Sequence, residues 1–342
     1  MKTHTKFIMM LLIGGILMAC TTTVKQEDDP VIQKVKMAML CTQKRSWEFG
    51  TAMLALIEIG DNENLVRMAY EAIVQSTPDG RLATIGSENN IADTGVNGPG
   101  MLAAYKITGD EKYMNAAQAQ YDYLMLPSSR NTMGTIYHNT ARPVIFSDNM
   151  FMVAPFIAQM GNYDEAMFQI EAIRRVLWNE EKKLFHHIRI EETGEWRHKF
   201  FWGGGVGWCA AAMATVVDIL PDNRKEDKLK LMKYTMDVLD GCIANQLPNG
   251  MFYDFITEQN FEETTLGCML AFTIYKAVKS DWLDQSYLVP ADKMRAAAYA
   301  NLDEYGWMHN ASSAPRFNKP GTSAEAQAFF LMMEAAYKKL NN

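Results

Sequence analysis

The sequence has few of the features that mark proteins which bind nucleic acids, hold metal ions or depend on disulfides. Its 33 Lys and Arg are outnumbered by 40 Asp and Glu, the net charge is −7, and no basic run occurs, so a nucleic-acid partner is not expected. The chain lacks C-x-x-C, H-E-x-x-H and G-x-S-x-G motifs and any His/Cys cluster, so neither a metal site nor a cofactor is predicted. Four of the five cysteines stand among apolar neighbours and are predicted to be core thiols: Cys41, Cys209, Cys242 and Cys268.

Near its start the chain also lacks an apolar segment long enough to span a membrane. The apolar stretch from Phe7 to Leu17 is too short for a transmembrane helix; it follows two lysines and ends at Cys20, after a small residue. This pattern predicts an export signal over residues 1–20 and resembles the lipobox of bacterial lipoproteins, in which the cysteine is lipidated. Residues 21–30 are polar and are predicted to form a tether. We therefore expect a membrane-anchored bacterial lipoprotein, periplasmic or on the cell surface, that meets the membrane only through its lipid.

The middle of the chain repeats a helical pattern. Helices end in short polar turns and restart at intervals of 49 to 60 residues, at Gly60, Gly109, Gly161, Pro221 and Ser280. Within an interval one helix is apolar all round, as in Met150–Ala158, and its partner is amphipathic, as in Glu111–Leu124. An inner ring of buried helices inside an outer ring fits this contrast. Five turns and the last helix, Ser323 to Leu340, predict an all-α fold, an (α/α)6 barrel of six helical hairpins, as one domain over residues 31–342.

The stretch from Phe146 to Gly161 is central to this fold. Ser147 or Asp148 is predicted to cap a helix that has no polar residue from Met150 to Ala158 and that contains Pro155. Such a helix must be buried, which presents an acidic side chain at one end. Asp148 can be read as an N-cap alone, or as a functional carboxyl group at the mouth of the barrel.

Other unusual residues collect in the segments that precede inner helices. These segments combine glycine with aromatic or acidic residues, at residues 91–100, 200–208, 262–267 and 320–325. Aromatic rings beside glycines allow close approach to a flat, polar ligand such as a sugar. The glycine run at residues 203–205 lacks the strand context and the Lys of a phosphate loop, so nucleotide binding is not predicted.

At this point the chain resembles the unsaturated uronyl hydrolases of glycoside hydrolase families 88 and 105. The segment from Asp148 to Phe156 is similar to their D-x-x-F-M-x-x-P-F segment, and the segment from Trp202 to Trp208 is similar to their W-G-R-G-N-G-W loop. The segment Glu263-Thr264-Thr265 is similar to their E-T-S segment. The resemblance runs from about Trp47 to the C-terminus, and its two longer motifs are specific in combination.

The resemblance implies roles for particular residues. Asp148 is implied to be the general acid/base and Asp93 the second family aspartate. The remaining members of the implied site bind the unsaturated oligosaccharide substrate: Trp47, His138, His187, Trp202 and Trp208. Considered alone, each histidine fits a structural role better than a binding role; the resemblance makes the two roles comparable.

Two departures from the family motif stand in the tryptophan–glycine segment. The family Arg is Gly204 here, and the family Asn is Val206. Loss of the guanidinium is expected to empty space, to remove hydrogen-bond donors and to change the choice of substrate. Cations that could compensate from neighbouring loops are Arg142, Arg316 and Lys319.

The function implied by the resemblance is removal of a terminal 4,5-unsaturated uronic acid from oligosaccharides that a polysaccharide lyase has released. In this reaction a carboxylic acid protonates a vinyl ether and water adds, so one residue can serve as acid and then as base. Burial and the charge of Asp93 would raise the pKa of Asp148, whereas a helix N-terminus would lower it.

Three alternatives remain open. An inverting glycosidase would use Asp93 and Asp148 as separate base and acid, roughly 6.5–9.5 Å apart. A non-catalytic sugar-binding lipoprotein would explain the loss of the family Arg. A helical scaffold for protein partners would leave the aromatic–glycine segments unexplained.

Overall fold

A computed structural model of the chain describes residues 29–86, 88–141 and 143–342. Most of these residues are helical. The helices are α1 (Pro30–Leu40), α2 (Ser46–Ile59), α3 (Asn62–Val74), α4 (Ala92–Gly95), α5 (Gly98–Thr108), α6 (Glu111–Met125), α7 (Asn149–Gln159), α8 (Tyr163–Leu177), α9 (Gly203–Ile219), α10 (Lys225–Ile243), α11 (Thr265–Lys279), α12 (Leu288–Ala300) and α13 (Ala324–Asn341).

Six of these helices form a closed inner ring. In order around the ring they are α2, α5, α7, α9, α11 and α13, with the short helix α4 wedged between α2 and α7 and with α13 packed back against α2. Each inner helix packs against an outer one: α3, α6, α8, α10 and α12 follow their partners in sequence, and α1 packs against α13. The predicted (α/α)6 barrel is confirmed, and its sixth helical pair is assembled from the two ends of the chain.

The contrast between inner and outer helices is also confirmed. Every residue of α7 from Asn149 to Ala158 is buried, whereas α6 buries five of its fifteen residues. Burying a large apolar side chain such as Phe156 contributes about 1.5–3 kcal/mol, so the inner ring supplies much of the driving force for folding.

The turns between paired helices have the predicted chemistry. Gly60 and Gly109 end their helices with φ of 77° and 69°, a left-handed conformation that glycine adopts without steric cost. Asp61, Asp110 and Asn162 then cap α3, α6 and α8 by accepting backbone hydrogen bonds. These caps fix where each outer helix begins.

Short strands lie in the connections between helices. They are β1 (Ile145–Phe146), β2 (Trp178–Asn179), β3 (Leu184–Phe185), β4 (Ile188–Arg189), β5 (Trp196–His198), β6 (Phe252–Tyr253) and β7 (Glu262–Glu263). Strand β4 pairs with both β1 and β5 in an antiparallel sheet, in which Phe146 lies opposite Ile188.

Three details differ from the predictions. The tryptophan–glycine segment is no loop, because Gly203 already begins α9 and the glycines form its first turns. Cys41 is exposed at the end of α1, whereas Cys209, Cys242 and Cys268 are buried free thiols as predicted. Pro30, predicted as the last tether residue, is the first residue of α1.

The predicted signal segment with Cys20, and residues 21–28 of the tether, lie outside the described residues. None of the helices within residues 29–342 that the structure describes has the length and apolar character required to cross a membrane.

Candidate active site

The start of α7 places Asp148 at the mouth of the barrel. Strand β1 leads to Ser147, whose N–H donates to the carbonyl of His187 at 3.0 Å, and the Asp148 carbonyl then accepts from the first turn of the helix. The predicted side-chain cap is wrong, because neither Ser147 nor Asp148 caps α7 through its side chain. The φ and ψ of Asp148, −63° and −24°, are helical rather than the extended values of a capping residue. Its buried Oδ1 has no hydrogen-bond partner among the described residues, so the carboxyl group is available for other chemistry.

Asp148 lies in a compact cluster with Asp93 and His138. Asp93 belongs to α4, and its Oδ2 is 3.8 Å from Nε2 of His138. One ligand atom from each of the three side chains lies within 4.8 Å of the others. Both carboxyl groups are buried, with 2% of Asp93 and 8% of Asp148 exposed. The sequence separates these residues widely, and the barrel brings them together.

His138 is held in one orientation by its neighbours. Its ring stacks on Phe146 with centroids 3.8 Å apart, and its Nδ1 lies 2.9 Å from Oδ1 of Asn149. The amide of Asn149 donates through Nδ2 to the carbonyl of Ile136 at 3.0 Å, so its Oδ1 is the atom left to accept. His138 therefore carries a proton on Nδ1 and directs Nε2 toward Asp93.

The proton affinities in this cluster are coupled. The pKa of Asp148 is raised to about 6, mainly by burial; His138 opposes this rise and the nearby Asp93 contributes to it. Burial also raises the pKa of Asp93, against the influence of His138. For His138 burial lowers the pKa, but the charges of Asp93 and Asp148 outweigh it and the net direction is upward. The cluster can therefore hold and transfer a proton near neutral pH.

The same three side chains are where a cation could be held. Within the described parts of the chain, no other set of three His, Cys, Asp or Glu residues brings its ligand atoms so close together. The predicted lack of a metal stays a prediction.

An aromatic wall adjoins the cluster. The ring of His187 lies 5.4 Å from that of Phe146 and 4.7 Å from that of Trp202, measured between centroids. Burial and the nearby His198 hold the pKa of His187 well below its usual range, so His187 is neutral. Its Nδ1 is buried without a partner among the described residues.

Trp202 occupies the space next to Gly204. Its Nε1 donates to Oδ1 of Asp254 at 3.0 Å, which fixes the indole. A Cβ added at Gly204 would lie 2.6 Å from Cζ2 of that indole, closer than real atoms approach. The expectation that Gly204 empties space is therefore wrong, because the tryptophan fills it. Val206, the other departure from the family motif, is fully buried in the core and does not line the cavity.

All seven predicted site residues line one cavity of about 1070 Å³. They are Trp47, Asp93, His138, Asp148, His187, Trp202 and Trp208. Their individual roles stay predictions.

Three charged residues on the same wall were missed by sequence reasoning: Asp254, Glu325 and Arg197. Glu325 lies in a segment predicted to reach the mouth but was not singled out, and Asp254 has no motif that could have identified it. Of the cations proposed to compensate for Gly204, Arg316 and Lys319 do not line the cavity, and Arg142 lies outside the described residues.

Comparisons with known proteins agree with this architecture. The family model described as Glycosyl Hydrolase Family 88 matches residues 17–332. The unsaturated rhamnogalacturonyl hydrolase YesR of Bacillus subtilis is 21% identical over 160 residues, which cover 43% of this chain and 44% of that protein. The aligned part therefore spans less than half of the length of this relative.

Two solved structures share the fold. A possible member of the GH105 family from Salmonella enterica superimposes with a TM-score of 0.78 at 15% identity, covering 91% of this chain and 93% of that one. An unsaturated glucuronyl hydrolase specific for heparin superimposes with a TM-score of 0.69 at 11% identity, covering 91% and 95%.

Proposed function

The chain belongs to glycosyl hydrolase family 88, and we propose that it removes a terminal 4,5-unsaturated uronic acid from lyase-generated oligosaccharides. The observation that carries this proposal is the carboxyl group of Asp148. It is buried, leaves one oxygen unpartnered among the described residues, has a pKa raised to about 6, and faces Asp93 and His138 on the wall of a large cavity. The names of YesR and of the heparin-specific hydrolase, both unsaturated uronyl hydrolases, support the same substrate class.

The proposed reaction needs one acid that then becomes a base. Protonated Asp148 donates its proton to C4 of the sugar's double bond, and the electron pair of that double bond forms the new C–H bond. Water adds at C5 while the Asp148 carboxylate takes up a proton from it, which restores the acid. The resulting hemiketal opens and releases the neighbouring sugar. During this cycle Asp93 and His138 act on Asp148 through their charges: Asp93 raises its pKa and His138 lowers it.

The distance between the carboxyl groups argues against the inverting alternative. An inverting glycosidase leaves roughly 6.5–9.5 Å between its two carboxyl groups for a water molecule. Here one carboxylate oxygen of Asp93 lies within 4.8 Å of one of Asp148. The pair is too close for that arrangement and suits a single acid/base with a charged neighbour.

The decisive assay follows the substrate's own chromophore. The vinyl ether conjugated to the carboxylate absorbs in the ultraviolet, and hydration destroys it. With a panel of lyase-generated oligosaccharides, we expect absorbance to fall as a shortened sugar is released. Release of sugar with the chromophore intact would show an ordinary glycosidase; binding without any change would show a sugar-binding protein.

Asp148→Asn tests the assigned acid. The variant keeps the size of the side chain, and no capping bond is lost, but it cannot give and reclaim a proton. On an accepted substrate we expect kcat to fall by at least ~10²-fold. Wild-type kcat should itself decline as pH rises through about 6, because a raised pKa means that the acid form is lost on the alkaline side.

The matched control is Asp281→Asn, at an exposed position with φ of 57° that asparagine tolerates. This variant should keep the activity of the wild type. Turnover by Asp148→Asn within a few-fold of this control would remove Asp148 from the mechanism.

We also propose that the enzyme is a lipoprotein anchored at Cys20, on the periplasmic or outer face of a bacterial membrane. The support is the sequence pattern of residues 1–20 alone.

A further inference from the structure

Glu325 is a buried carboxylic acid that the proposed mechanism does not use. It lies in the first turn of α13 and on the wall of the cavity, with 5% of its surface exposed. Its Oε2 has no hydrogen-bond partner among the described residues. Helix capping does not explain it, because the hydroxyl of Ser323 already caps α13 by accepting from the N–H of Ala326 at 3.0 Å.

The groups around Glu325 favour its neutral form. The pKa of Glu325 is raised to about 8, mainly by burial; the like charges of Glu48 and Glu263 contribute to this rise, and Trp47, as a hydrogen-bond donor, opposes it. Glu263 is engaged elsewhere, because it accepts the N–H groups of Thr265 and Leu266 at 2.8 and 2.9 Å. No ion pair of Glu325 with Lys or Arg occurs in the described part of the chain.

The cavity offers little positive charge to an anionic sugar. Arg197 is the one Lys or Arg among the described residues of its wall, it is half exposed, and it pairs with Glu195 at 3.1 Å. Gly204 stands where the resembled family has an Arg. A substrate carboxylate bound here needs a hydrogen-bond donor of another kind, and a carboxylic acid kept neutral by its surroundings is such a donor.

We propose that Glu325 is a specificity-determining residue that donates a hydrogen bond from its carboxylic acid to the uronate carboxylate. Trp47 forms one wall of this subsite. This inference rests on the proposed function, since it takes the unsaturated uronate as the ligand. An O–H···O⁻ bond is short and charge-assisted, so a neutral Glu325 selects an acidic sugar. The ionised form would repel the same group. Substrate binding then depends on the proton of Glu325, in addition to the proton that Asp148 needs for catalysis.

The test compares the pH dependence of KM in the wild type and in Glu325→Gln. The amide keeps the size of the side chain and two N–H donors but does not titrate in this range. Wild-type KM for the preferred unsaturated disaccharide should rise about tenfold per pH unit above pH 8, because only the protonated fraction binds. In Glu325→Gln, KM should stay within about threefold between pH 7 and 9.5.

Two further variants define the result. Glu325→Ala removes the donor, so its KM should exceed that of the wild type already at pH 6. Glu304→Gln makes the same chemical change at an exposed position outside the cavity wall and should follow the wild-type profile. Equal slopes in the wild type and in Glu325→Gln would overturn the proposal, and a wild-type KM that does not rise would do the same.

A binding experiment separates this inference from the proposed function. Calorimetric titration of the same unsaturated disaccharides into the Asp148→Asn and the Asp148→Asn/Glu325→Gln proteins measures affinity without turnover. If the wild type consumes no chromophore but affinity shows the expected difference in pH dependence, Glu325 is supported and the hydrolase proposal fails. If the wild type turns the substrate over but the two variant proteins show identical pH profiles of affinity, only the role of Glu325 is refuted. If the protein binds none of these sugars, both proposals are refuted.

Discussion

Gly204, where the resembled family has an Arg, leaves no gap, because the indole of Trp202 fills the space beside it. The indole of Trp202 lies against the backbone of Gly204 and is tethered to Asp254 through a 3.0 Å hydrogen bond. Burial, and secondarily Glu263, raise the pKa of Asp254 to about 7, so this wall contains a second carboxyl group that is partly neutral near pH 7. The aromatic face offered to a sugar is therefore set by the smallness of residue 204.

Gly204→Ala should displace that indole. The added Cβ would lie 2.6 Å from the ring, and overpacking of this kind costs about 1–3 kcal/mol. We expect a lower melting temperature and a raised KM, because the ring moves and its bond to Asp254 is lost. Thermal unfolding and steady-state kinetics measure the two effects.

A double-mutant cycle checks the cause. Phenylalanine at position 202 is smaller than tryptophan, so Gly204→Ala should cost less in a Trp202→Phe background than in the wild type. Additive effects of the two substitutions would show that the indole is not what residue 204 controls.

Site residues could be predicted from the sequence only where a motif carried them. Asp148 and Trp202 stand in segments with several fixed neighbours, and Asp93 and His138 followed from their order along the chain. Asp254 stands in no motif, and Glu325 was not singled out although its segment was expected at the mouth. Their significance comes from burial and from like charges brought close by the barrel, which no local pattern records.

At the scale of the helix, the inner ring was predictable from hydrophobicity and its glycines were misread. A helix with no polar residue along its length must be buried, and α7 is. The glycines at residues 203–205 suggested a loop, yet they form the first turn of α9. At residues 204 and 205 glycine is needed because neighbouring side-chain atoms lie too close for a Cβ. A Cβ at Gly205 would lie 2.1 Å from Oγ of Ser147. At these positions the packing of α9 against its neighbours outweighs the low helix propensity of glycine.

Close helix packing predicts opposite outcomes for two glycines of the inner ring. At Gly50 in α2 a Cβ would lie 2.7 Å from both the carbonyl carbon and the oxygen of Val96, which are backbone atoms that cannot turn aside. Gly50→Ala should therefore lower the free energy of unfolding by about 1–3 kcal/mol. At Gly267 in α11 the nearest atom would be 3.5 Å away, in ordinary contact. Gly267→Ala should be neutral or should stabilise by up to about 1 kcal/mol, because alanine favours the helix.

Chemical denaturation of the two variants beside the wild type measures both effects. Equal stability of Gly50→Ala and Gly267→Ala would contradict the view that contact distance decides where glycine is required.

At the scale of the whole molecule, the two ends of the chain complete the barrel. Helix α13 closes the inner ring against α2, and α1 covers α13 from outside. Lys339 and Glu58 form an ion pair of 2.6 Å across this closure. The sequence predicted six pairs from five turns and a last helix, but it gave no partner for that helix. A contact between residues separated by most of the chain leaves no periodic signal to detect.

Because α1 begins at Pro30, the distance from Cys20 to the folded barrel is set by few residues. Lipidation at Cys20 would hold the barrel, and hence its cavity, close to the membrane surface. One acyl chain gives only marginal, reversible binding, so stable attachment requires more than one chain. We expect the protein in producing bacterial cells to incorporate an alkyne fatty acid and to sediment with membranes, and Cys20→Ser to lose both properties. Cys41→Ser is the matched control, since Cys41 is the exposed thiol of the described residues and its loss should leave the label in place. Label that persists in Cys20→Ser and disappears in Cys41→Ser would move the modification to α1 and refute the anchor at Cys20.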